Sequence, residues 1–382
     1  MRIAVIGLYY APNLGDAVIC DCVAEWMREE FPNADIDIVD IEGKREFPNQ
    51  VGMPLQELKI RQIKSKIEYW LTEHRLIDVM YFWNKRDVDA RQKYYDEVAG
   101  RRYDAAVFAG GQLFMDWLSM DVSEFIKRFD KVNTPVFLNA CGTGKAASRH
   151  IRSILKENLS KSAVKFVSSR DDVDEINSLY MSGNMKAVRT FDPALWAGCV
   201  YGKSKKKSDL IGLGVMHCTN IPYDQVIDFW VSVIGELDQR KIRWKMFCNG
   251  AVEDYRLGQR VLEKLSVEDP ERALKCAETP EELVEQISGF SGLISFRLHS
   301  HIIAASLGIP AVAIEWDKKL RFFYRNLEHE ERCLTIESSA QEVADALVLA
   351  KKEECDRELI VRQRSYAKNM LLSEIKKVVF DE

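Results

Sequence analysis

The chain has 382 residues, of which 47% are apolar and 30% are charged, and its formal net charge is −5. This length exceeds one ordinary core and favours two domains, while the composition is typical of a globular protein and not of a disordered one. The acidic balance argues against nucleic acid as the partner, because binding to a phosphate backbone normally needs a cationic excess.

The nine cysteines include no CxxC pair, which is typical of a reduced intracellular chain. Cys20 and Cys22 are predicted to lie on one helix, on different faces, and not to bind a metal. The sequence contains neither a signal peptide pattern nor a run of 18 apolar residues. We therefore predict a cytoplasmic location, with attachment to the inner face of the membrane left open.

In the first 200 residues, short β-branched runs alternate with helical patterns. The runs are RIAVIGLYY, ADIDIVDI, YDAAVFAG, TPVFLNACG, VKFVSSRD and MKAVRTFD. This alternation predicts a parallel sheet with helices on both faces. Residues 54–100 form a helical insertion rich in aromatic and cationic residues. It is interpreted either as a subdomain packed on the first domain or as a surface that binds an acceptor substrate or the membrane.

Residues 201–209 are basic and lack apolar periodicity, so they are predicted to link two domains, 1–200 and 210–382. After them the alternation restarts with LIGLGVMH, IRWKMFCNG, GLISFRLH and PAVAIEWD, and the chain ends in predicted helices. The predicted fold class is therefore α/β, with two doubly wound Rossmann-like domains facing a cleft. In such sheets, ligands bind beyond the carboxyl ends of the strands.

The stretch NLGDAVI follows the first predicted strand. Asn13 and Gly15 tolerate positive φ, and Asp16 is predicted to be the helix N-cap. The amides of that helix could then hold an anion or a sugar oxygen in the cleft. A tight turn with a cap, and no ligand, is the equally weighted alternative. A GxGxxG dinucleotide fingerprint is missing here.

Two further strand ends carry candidate residues for the cleft. Gly110 and Gly111 end one strand, where the missing side chains serve either turn geometry or the close approach of a ligand. Arg170 follows another strand and precedes a helix capped by Asp171 or Asp172. This arginine either pairs with its neighbours or binds a carboxylate or phosphate in the cleft.

The stretch SFRLHSH joins a predicted strand, GLISF, to a predicted helix. It delivers Arg297 and His299 to the cleft, where a phosphate would find amides, a guanidinium and an imidazole. A carboxylate neighbour or a bound phosphate would raise the pKa of His299 toward that of a useful general acid. His301 points elsewhere on the helix and is assigned a packing role.

The next strand, PAVAIEWD, sends Asp317, Lys318 and Lys319 to the same edge of the sheet. Runs of charged residues are usually solvated. Because the preceding strand is strongly apolar, the loop is expected to emerge at the edge of the site, and we predict that one of the two lysines lies in the site.

Taken together, these stretches resemble the polysaccharide pyruvyl transferase family. The matching segments are NLGDAVI, AGGQLF, SSRD, FDPAL and, most specifically, SFRLHSHIIAASLGIPAVAIEWDKKLRFF. The resemblance covers almost the whole chain apart from the insertion. It implies a fold similar to the two-domain GT-B glycosyltransferases. It also implies transfer of pyruvate from phosphoenolpyruvate onto two sugar hydroxyls, forming a cyclic ketal in surface polysaccharide biosynthesis and releasing phosphate.

Carried over residue by residue, the resemblance places the donor-binding groups on Arg170, Arg297 and Lys319, with His299 completing the RxH motif. Gln112 stands where the family often has a third glycine after Gly110 and Gly111, and no serine follows Arg170 at the usual spacing. The first departure could reshape the acceptor pocket.

The residues suit this chemistry independently, because two arginines and a lysine can neutralise the carboxylate and the phosphate of phosphoenolpyruvate. His299 is predicted to be the acid and Asp16 the base. No metal or other cofactor is predicted, and phosphoenolpyruvate is the donor substrate. The predicted partner is a saccharide acceptor, either lipid-linked or nucleotide-linked.

Two alternatives remain open at the sequence level. One is a GT-B glycosyltransferase with a nucleotide-sugar donor, which would share the sheets, the cleft and a cationic phosphate site. The other is a catalytically silent member of the family that binds a saccharide. The intact RLH block argues against the second alternative.

Overall fold

The computed structural model describes residues 1–48, 55–144, 146–218, 220–269, 272 and 274–380. Residue 54, the first of the predicted insertion, lies outside the described residues. Within the described part, the strands form two separate sheets in which every pairing between strands is parallel. The predicted fold class, parallel α/β with two sheets, is therefore confirmed.

The first sheet has the strand order β2-β1-β3-β5-β6-β7, with β4 paired to β5. Its strands are β1 (Arg2–Gly7), β2 (Asp35–Asp40), β3 (Ala105–Phe108), β4 (Gly111–Phe114), β5 (Val136–Thr143), β6 (Val164–Ser169) and β7 (Val188–Arg189). The central strands are buried along their whole length, as expected for a parallel sheet covered on both faces.

Eight helices accompany this sheet in the described residues. They are α1 (Leu14–Glu30), α2 (Leu55–Glu73), α3 (Val79–Ala90), α4 (Gln92–Gly100), α5 (Ser119–Lys131), α6 (Arg149–Leu159), α7 (Val173–Leu179) and α8 (Ala197–Val200). Three of them, α2 to α4, form the segment between β2 and β3. A 3₁₀ helix, Pro193–Trp196, precedes α8, and residues 201–209 contain no helix or strand.

The second sheet has the strand order β10-β9-β8-β11-β12-β13. Its strands are β8 (Ile211–Gly214), β9 (Trp244–Cys248), β10 (Lys275–Cys276), β11 (Gly292–Ser295), β12 (Ala311–Glu315) and β13 (Cys333–Thr335). The helices are α9 (Tyr223–Gln239), α10 (Val252–Lys264), α11 (Pro280–Ser288), α12 (Leu298–Ser306), α13 (Lys318–Asn326), α14 (Ala340–Glu353) and α15 (Arg357–Val379).

Helix α1 is the element that joins the two halves. Most of its residues are buried, including both Cys20 and Cys22, and they belong to a core cluster that also contains residues of β1, α11 and α12. A helix that is apolar on nearly all sides has to be covered on all sides. The amino terminus of α1 is consequently held against the second half, where Leu14 donates a backbone hydrogen bond to Asn249 at 2.9 Å.

The sequence assigns the last helix, α15, to the second half of the chain. In the structure it packs beside β5, β6 and the 3₁₀ helix of the first half, because its apolar residues Leu371, Leu372 and Ile375 join the core cluster shared with α1. Lys368 and Lys376 of α15 pair with Glu29 and Glu30 at the end of α1. This helix therefore ties the second half back onto the first.

Candidate active site

A cavity of about 590 Å³ lies where the carboxyl-end loops of the two sheets meet. Among the residues predicted from the sequence, its wall contains Asn13, Asp16, Gln112, Arg170, Arg297, His299 and Lys319. These residues come from five separate segments, the starts of α1, α12 and α13, strand β4 and the loop after β6, spread over both halves of the chain. The structure therefore brings the predicted charged groups together in one place.

Helix α1 begins differently from the prediction. Its N-cap is Asn13 with φ of −84°, and Asp16 lies in the first turn, so the prediction that Asp16 caps the helix is wrong. The Asn13 side chain makes no capping bond; its Nδ2 donates instead to Asp16 Oδ2 at 2.9 Å. Neither Asn13 nor Gly15 has a positive φ, so tolerance of positive φ does not explain either residue.

Gly15 is required for a different reason. A Cβ atom on Gly15 would lie 2.3 Å from both Cβ and Nδ1 of His299. Real Cβ atoms do not approach other atoms so closely, so any side chain at this position would displace the imidazole. Gly15 therefore does not line the cavity wall but backs it, and it allows the starts of α1 and α12 to touch.

Gly110 and Gly111 have φ of +133° and +95°, which favours glycine at both positions. A Cβ on Gly110 would lie 3.2 Å from the Asn139 carbonyl oxygen, and a Cβ on Gly111 would lie 3.5 Å from Asp16 Oδ1. Neither belongs to the cavity wall. Of the two interpretations left open by the sequence, turn geometry accounts for both glycines, because a Cβ on Gly111 would make only an ordinary van der Waals contact with Asp16.

The imidazole of His299 is buried at the start of α12. Its Nε2 lies 3.3 Å from Nη1 of Arg170, which identifies Nε2 as the acceptor of a hydrogen bond from the guanidinium. Burial, followed by the charges of Arg170, Lys319 and Arg297, lowers the pKa of His299 well below its usual value. Of the two groups expected to raise this pKa, a carboxylate neighbour is not the contacting group, because Nε2 faces a cation; the effect of a bound phosphate stays a prediction.

Arg170 lies at the end of β6 with its side chain buried. Its Nη1 is paired with Asp192, and its Nε lies 3.9 Å from Asp171 Oδ1. Both interpretations of this arginine are thus compatible with the structure, since it pairs with neighbouring carboxylates and also reaches the cavity wall. Asp172, not Asp171, caps α7 through bonds to the amides of Asp174 and Glu175.

Arg297 is the N-cap of α12, and its guanidinium is held by Asp254 of α10. The distances from Nη2 and Nε to Asp254 Oδ2 are 2.6 and 2.7 Å. The other oxygen of Asp254 accepts a hydrogen bond from the His217 backbone amide at 2.8 Å. Asp254 is fully buried, so it fixes the guanidinium beside the cavity.

The two lysines that follow β12 have separate environments. Lys318 is exposed and pairs with Glu175, whereas Lys319 lines the cavity. The ammonium of Lys319 donates to Gln112 Oε1 at 3.0 Å and lies 4.5 Å from the centre of the Trp316 ring. Burial lowers the pKa of Lys319, with Asp317 opposing this effect and Arg170 adding to it.

Gln112 therefore has a positioning role that the sequence did not indicate. Its Oε1 accepts from Lys319, and its Nε2 donates to the Thr143 carbonyl at 3.1 Å. Asp16 also lines the cavity. Burial raises the pKa of Asp16, while Arg170, the Asn13 bond, Lys319 and Arg297 oppose the rise.

His301 is outside the cavity wall, and its ring is bonded at both nitrogens. Nε2 lies 2.9 Å from the Ser295 carbonyl oxygen, and the Tyr324 hydroxyl lies 2.9 Å from Nδ1. A carbonyl can only accept, so Nε2 carries the proton and Nδ1 accepts from tyrosine. The packing role expected for His301 agrees with this arrangement.

Sequence reasoning missed four residues of the site. Asp192 lies within the FDPAL segment, which was recognised as a family match but given no role. His217 follows β8, and its position at a strand end was the available signal. Asp254 and Trp117 lie in stretches with no distinguishing pattern, so only the folded chain identifies Asp254 as a partner of Arg297 and Trp117 as part of the cavity wall.

Among the described residues, the group of side chains close enough to share a metal ion is His329, Glu331 and Glu353. None of the three lines the cavity. Glu353 is also paired with Arg332 at 2.9 Å, a competing contact for a metal ligand.

Two parallel α/β domains that face a cationic cleft define the class of GT-B-like proteins. Solved structures agree with this fold. UDP-N-acetylglucosamine 2-epimerase from Methanocaldococcus jannaschii has a TM-score of 0.60 at 10% identity, with 98% of this chain and 99% of that chain covered. A putative UDP-N-acetylglucosamine 2-epimerase from Listeria monocytogenes has a TM-score of 0.59 at 10% identity, with 100% and 97% covered. At this identity the likeness concerns the fold alone.

The sequence comparison is more specific. The family model for polysaccharide pyruvyl transferase matches residues 13–318, and the chain belongs to this family. The match begins at Asn13 and ends at Lys318, so it includes every strand from β2 to β12 and most of the cavity wall. A search of curated proteins found no sequence match to the chain. Family membership supports a transferase acting on polysaccharide.

Proposed function

We propose that this protein transfers the pyruvyl group of phosphoenolpyruvate onto two hydroxyls of a saccharide, forming a cyclic ketal and releasing phosphate. The observation that carries the proposal is the convergence of Arg170, Arg297 and Lys319 on one cavity in a member of this family. Three cations beside two helix starts suit a small donor that carries both a carboxylate and a phosphate.

The donor site is preorganised by buried carboxylates. Asp192 holds Arg170 and Asp254 holds Arg297. A guanidinium has five N–H donors, and each of these pairs uses only some of them. The remaining donors are available to the donor anion, and the fixed orientation reduces the entropy that is lost on binding.

His299 is the proposed acid. Binding of the donor anion beside Arg170 replaces a cationic environment with a more neutral one, which raises the pKa of His299 and lets the imidazole carry a proton. In the reaction this proton moves to the methylene carbon of phosphoenolpyruvate, and C2 becomes an oxocarbenium-like centre. A positioned acid of this kind contributes about 10²–10⁴-fold to the rate.

The two sugar hydroxyls then add to C2 in turn. One sugar hydroxyl attacks C2, and its proton passes to Asp16, the proposed base. The C2–O bond to phosphate then breaks, and phosphate leaves with the electron pair. The second hydroxyl attacks the resulting cation, and its proton neutralises the departing phosphate, while the proton on Asp16 restores His299 through solvent. The products are the ketal and inorganic phosphate.

The acceptor is proposed to enter past Trp117, which lines the cavity and exposes 57% of its surface. Exposed aromatic rings offer an apolar face to a sugar ring while their N–H groups stay polar. A second cavity of about 720 Å³ adjoins the first, since Ala11 lines both, and its wall also contains Phe47 and Tyr255. It gives room for the rest of a lipid-linked or nucleotide-linked saccharide.

The proposal is tested by thermal shift and by product analysis. Phosphoenolpyruvate should raise the melting temperature, as any ligand of the folded state does. Stabilisation by UDP-sugars alone would replace the proposed donor by a nucleotide sugar. Incubation with saccharide and phosphoenolpyruvate labelled at C2 should release phosphate and add to the saccharide the mass of pyruvic acid less one water.

The His299→Ala variant separates an enzyme from a silent binding protein. It should retain the melting temperature to within a few degrees and lose phosphate release. Unchanged release would exclude His299 as the acid. An absence of release from both proteins, with saccharide binding retained, would favour a catalytically silent member of the family.

A further inference from the structure

Helix α2 carries an exposed apolar stripe. Ile60, Ile63, Ile67 and Trp70 expose 65, 60, 53 and 51% of their surfaces. Their spacing of three, four and three residues places them on one side of the helix. A single exposed apolar side chain is common, but a continuous stripe of large side chains marks a surface that binds something.

Exposed apolar side chains also occur on the connecting loop and on the neighbouring helix. Leu76 and Ile77 in the connecting loop and Phe82 and Trp83 on α3 are also exposed. Helices α2 and α3 pack against each other, so both sets of side chains belong to one hairpin. We call the exposed residues Ile60, Ile63, Ile67, Trp70, Leu76, Ile77, Phe82 and Trp83 the apolar patch.

Cations border the apolar patch. Residues 60–67 include Arg61, Lys64 and Lys66 and no acidic residue, although the whole chain has a net charge of −5. At 3.6 residues per turn, Lys64 and Lys66 fall on opposite borders of the stripe. Lys64 lies 5.1 Å from the centre of the Trp83 ring and 3.8 Å from Glu68, so it also links the two helices.

A series of hydrogen bonds connects the hairpin to the wall of the active-site cavity. The Ser148 hydroxyl donates to Asp78, the N-cap of α3, at 2.7 Å. The amides of Ala147 and Ser148 donate to Asp116 at 2.7 and 3.1 Å. The residue after Asp116 is Trp117, which lines the cavity. Hydrogen bonds therefore tie the start of α3 to the loop that carries Trp117.

We propose that the apolar patch binds the surface of an anionic lipid bilayer, with α2 lying in the plane of the interface. Isoleucine and tryptophan side chains would enter the acyl boundary, and the bordering lysines would face lipid phosphates. Among the described helices, none combines the length and the apolar content of a membrane-spanning segment. A second copy of the chain fits less well, because a symmetric contact would bring equivalent lysines together.

Binding of the apolar patch to a bilayer does not depend on the proposed reaction, and the test measures binding alone. The full chain is mixed with phosphatidylcholine vesicles, with or without phosphatidylglycerol, and bound protein is separated by sedimentation. We expect binding to the anionic vesicles that weakens as salt is added. The double variant Ile63→Ser, Ile67→Ser should reduce the partition coefficient at least about tenfold.

The matched control is Val348→Ser, Leu349→Ser on α14, where two exposed apolar side chains are removed from another surface. It should bind vesicles as the original chain does. Equal binding to neutral and anionic vesicles, no binding to either, or an equal loss in the control would each overturn the proposal. A concentration-dependent dimer that the α2 variant abolishes, without vesicle binding, would identify a second copy as the occupant instead.

Discussion

Gly15 and His299 are in direct contact across the junction of the two halves, because glycine leaves no atom between α1 and the imidazole ring. One residue starts the first helix of the first sheet, and the other starts a helix of the second sheet. The position of the proposed acid therefore depends on how the two halves pack. The contact also explains why the NLGD and RLH segments, far apart in sequence, belong to one site.

The Gly15→Ala variant tests this contact. The added methyl group would overlap the imidazole, so we expect destabilisation of about 1–3 kcal/mol from overpacking. Displacement of the ring should reduce phosphate release by about 100-fold, since small misplacements of catalytic groups have effects of this size. Urea unfolding and a phosphate-release assay measure the two effects.

The control for that variant is Gly235→Ala on α9, where a Cβ would meet nothing within 4 Å. This substitution should stabilise the protein by about 0.5–1 kcal/mol, because alanine favours a helix interior more than glycine. Full activity in Gly15→Ala would show that the imidazole can move without loss of function.

The sequence predicted the fold class and ten of the thirteen strands in the described residues, since most buried parallel strands leave clear apolar segments. It did not predict β4, β10 and β13, which have four, two and three residues. Length does not separate the two groups, because β3, β8 and β11 also have four residues and β7 has two. The three missed strands are defined by a neighbouring strand: β4 pairs with β5, and β10 and β13 lie at the two edges of the second sheet. Local pattern therefore predicted most strands but not those that depend on a partner placed by the fold.

The site shows the same division. Arg170, Arg297, His299 and Lys319 follow apolar strands, so topology alone sends each of them to the carboxyl edge of its own sheet. Asp254 lies in the first turn of α10, a helix rich in charged residues, and its role depends on a tertiary contact with Arg297 that no local pattern encodes. The lowered pKa of His299 was missed for a related reason, because it arises from burial among cations brought from other loops.

Lys319 and its neighbour Lys318 form a natural matched pair. Lys319→Met removes a cation from the cavity wall, and we expect the KM for phosphoenolpyruvate to rise about 10–100-fold, as for loss of a charged hydrogen bond. Lys318→Met removes an exposed cation paired with Glu175 and should leave KM within about twofold. Steady-state phosphate release measures both. Equal effects of the two substitutions would remove Lys319 from the donor site.

His301 should make the stability of the protein depend on pH. Burial lowers the pKa of His301 to about 4, below the value of about 6.5 in an unfolded chain. Its stabilising contribution is complete above about pH 6.5 and is lost as pH falls toward 4, amounting to about 3 kcal/mol over this window. The His301→Gln variant cannot titrate, so its free energy of unfolding should fall less steeply with acid. Parallel pH profiles for the two proteins would contradict this assignment.

His299 should take up a proton when the donor binds. Burial and the cations Arg170, Lys319 and Arg297 keep the pKa of His299 well below its usual value before the donor binds, so the ring is neutral at neutral pH. A bound phosphoenolpyruvate anion screens those cations and raises this pKa, so affinity should weaken as pH rises through the pKa of the complex. Calorimetric titration in two buffers with different ionisation enthalpies measures the uptake directly. The His299→Asn variant should bind the donor without it, and an undiminished uptake in that variant would assign the proton to another group.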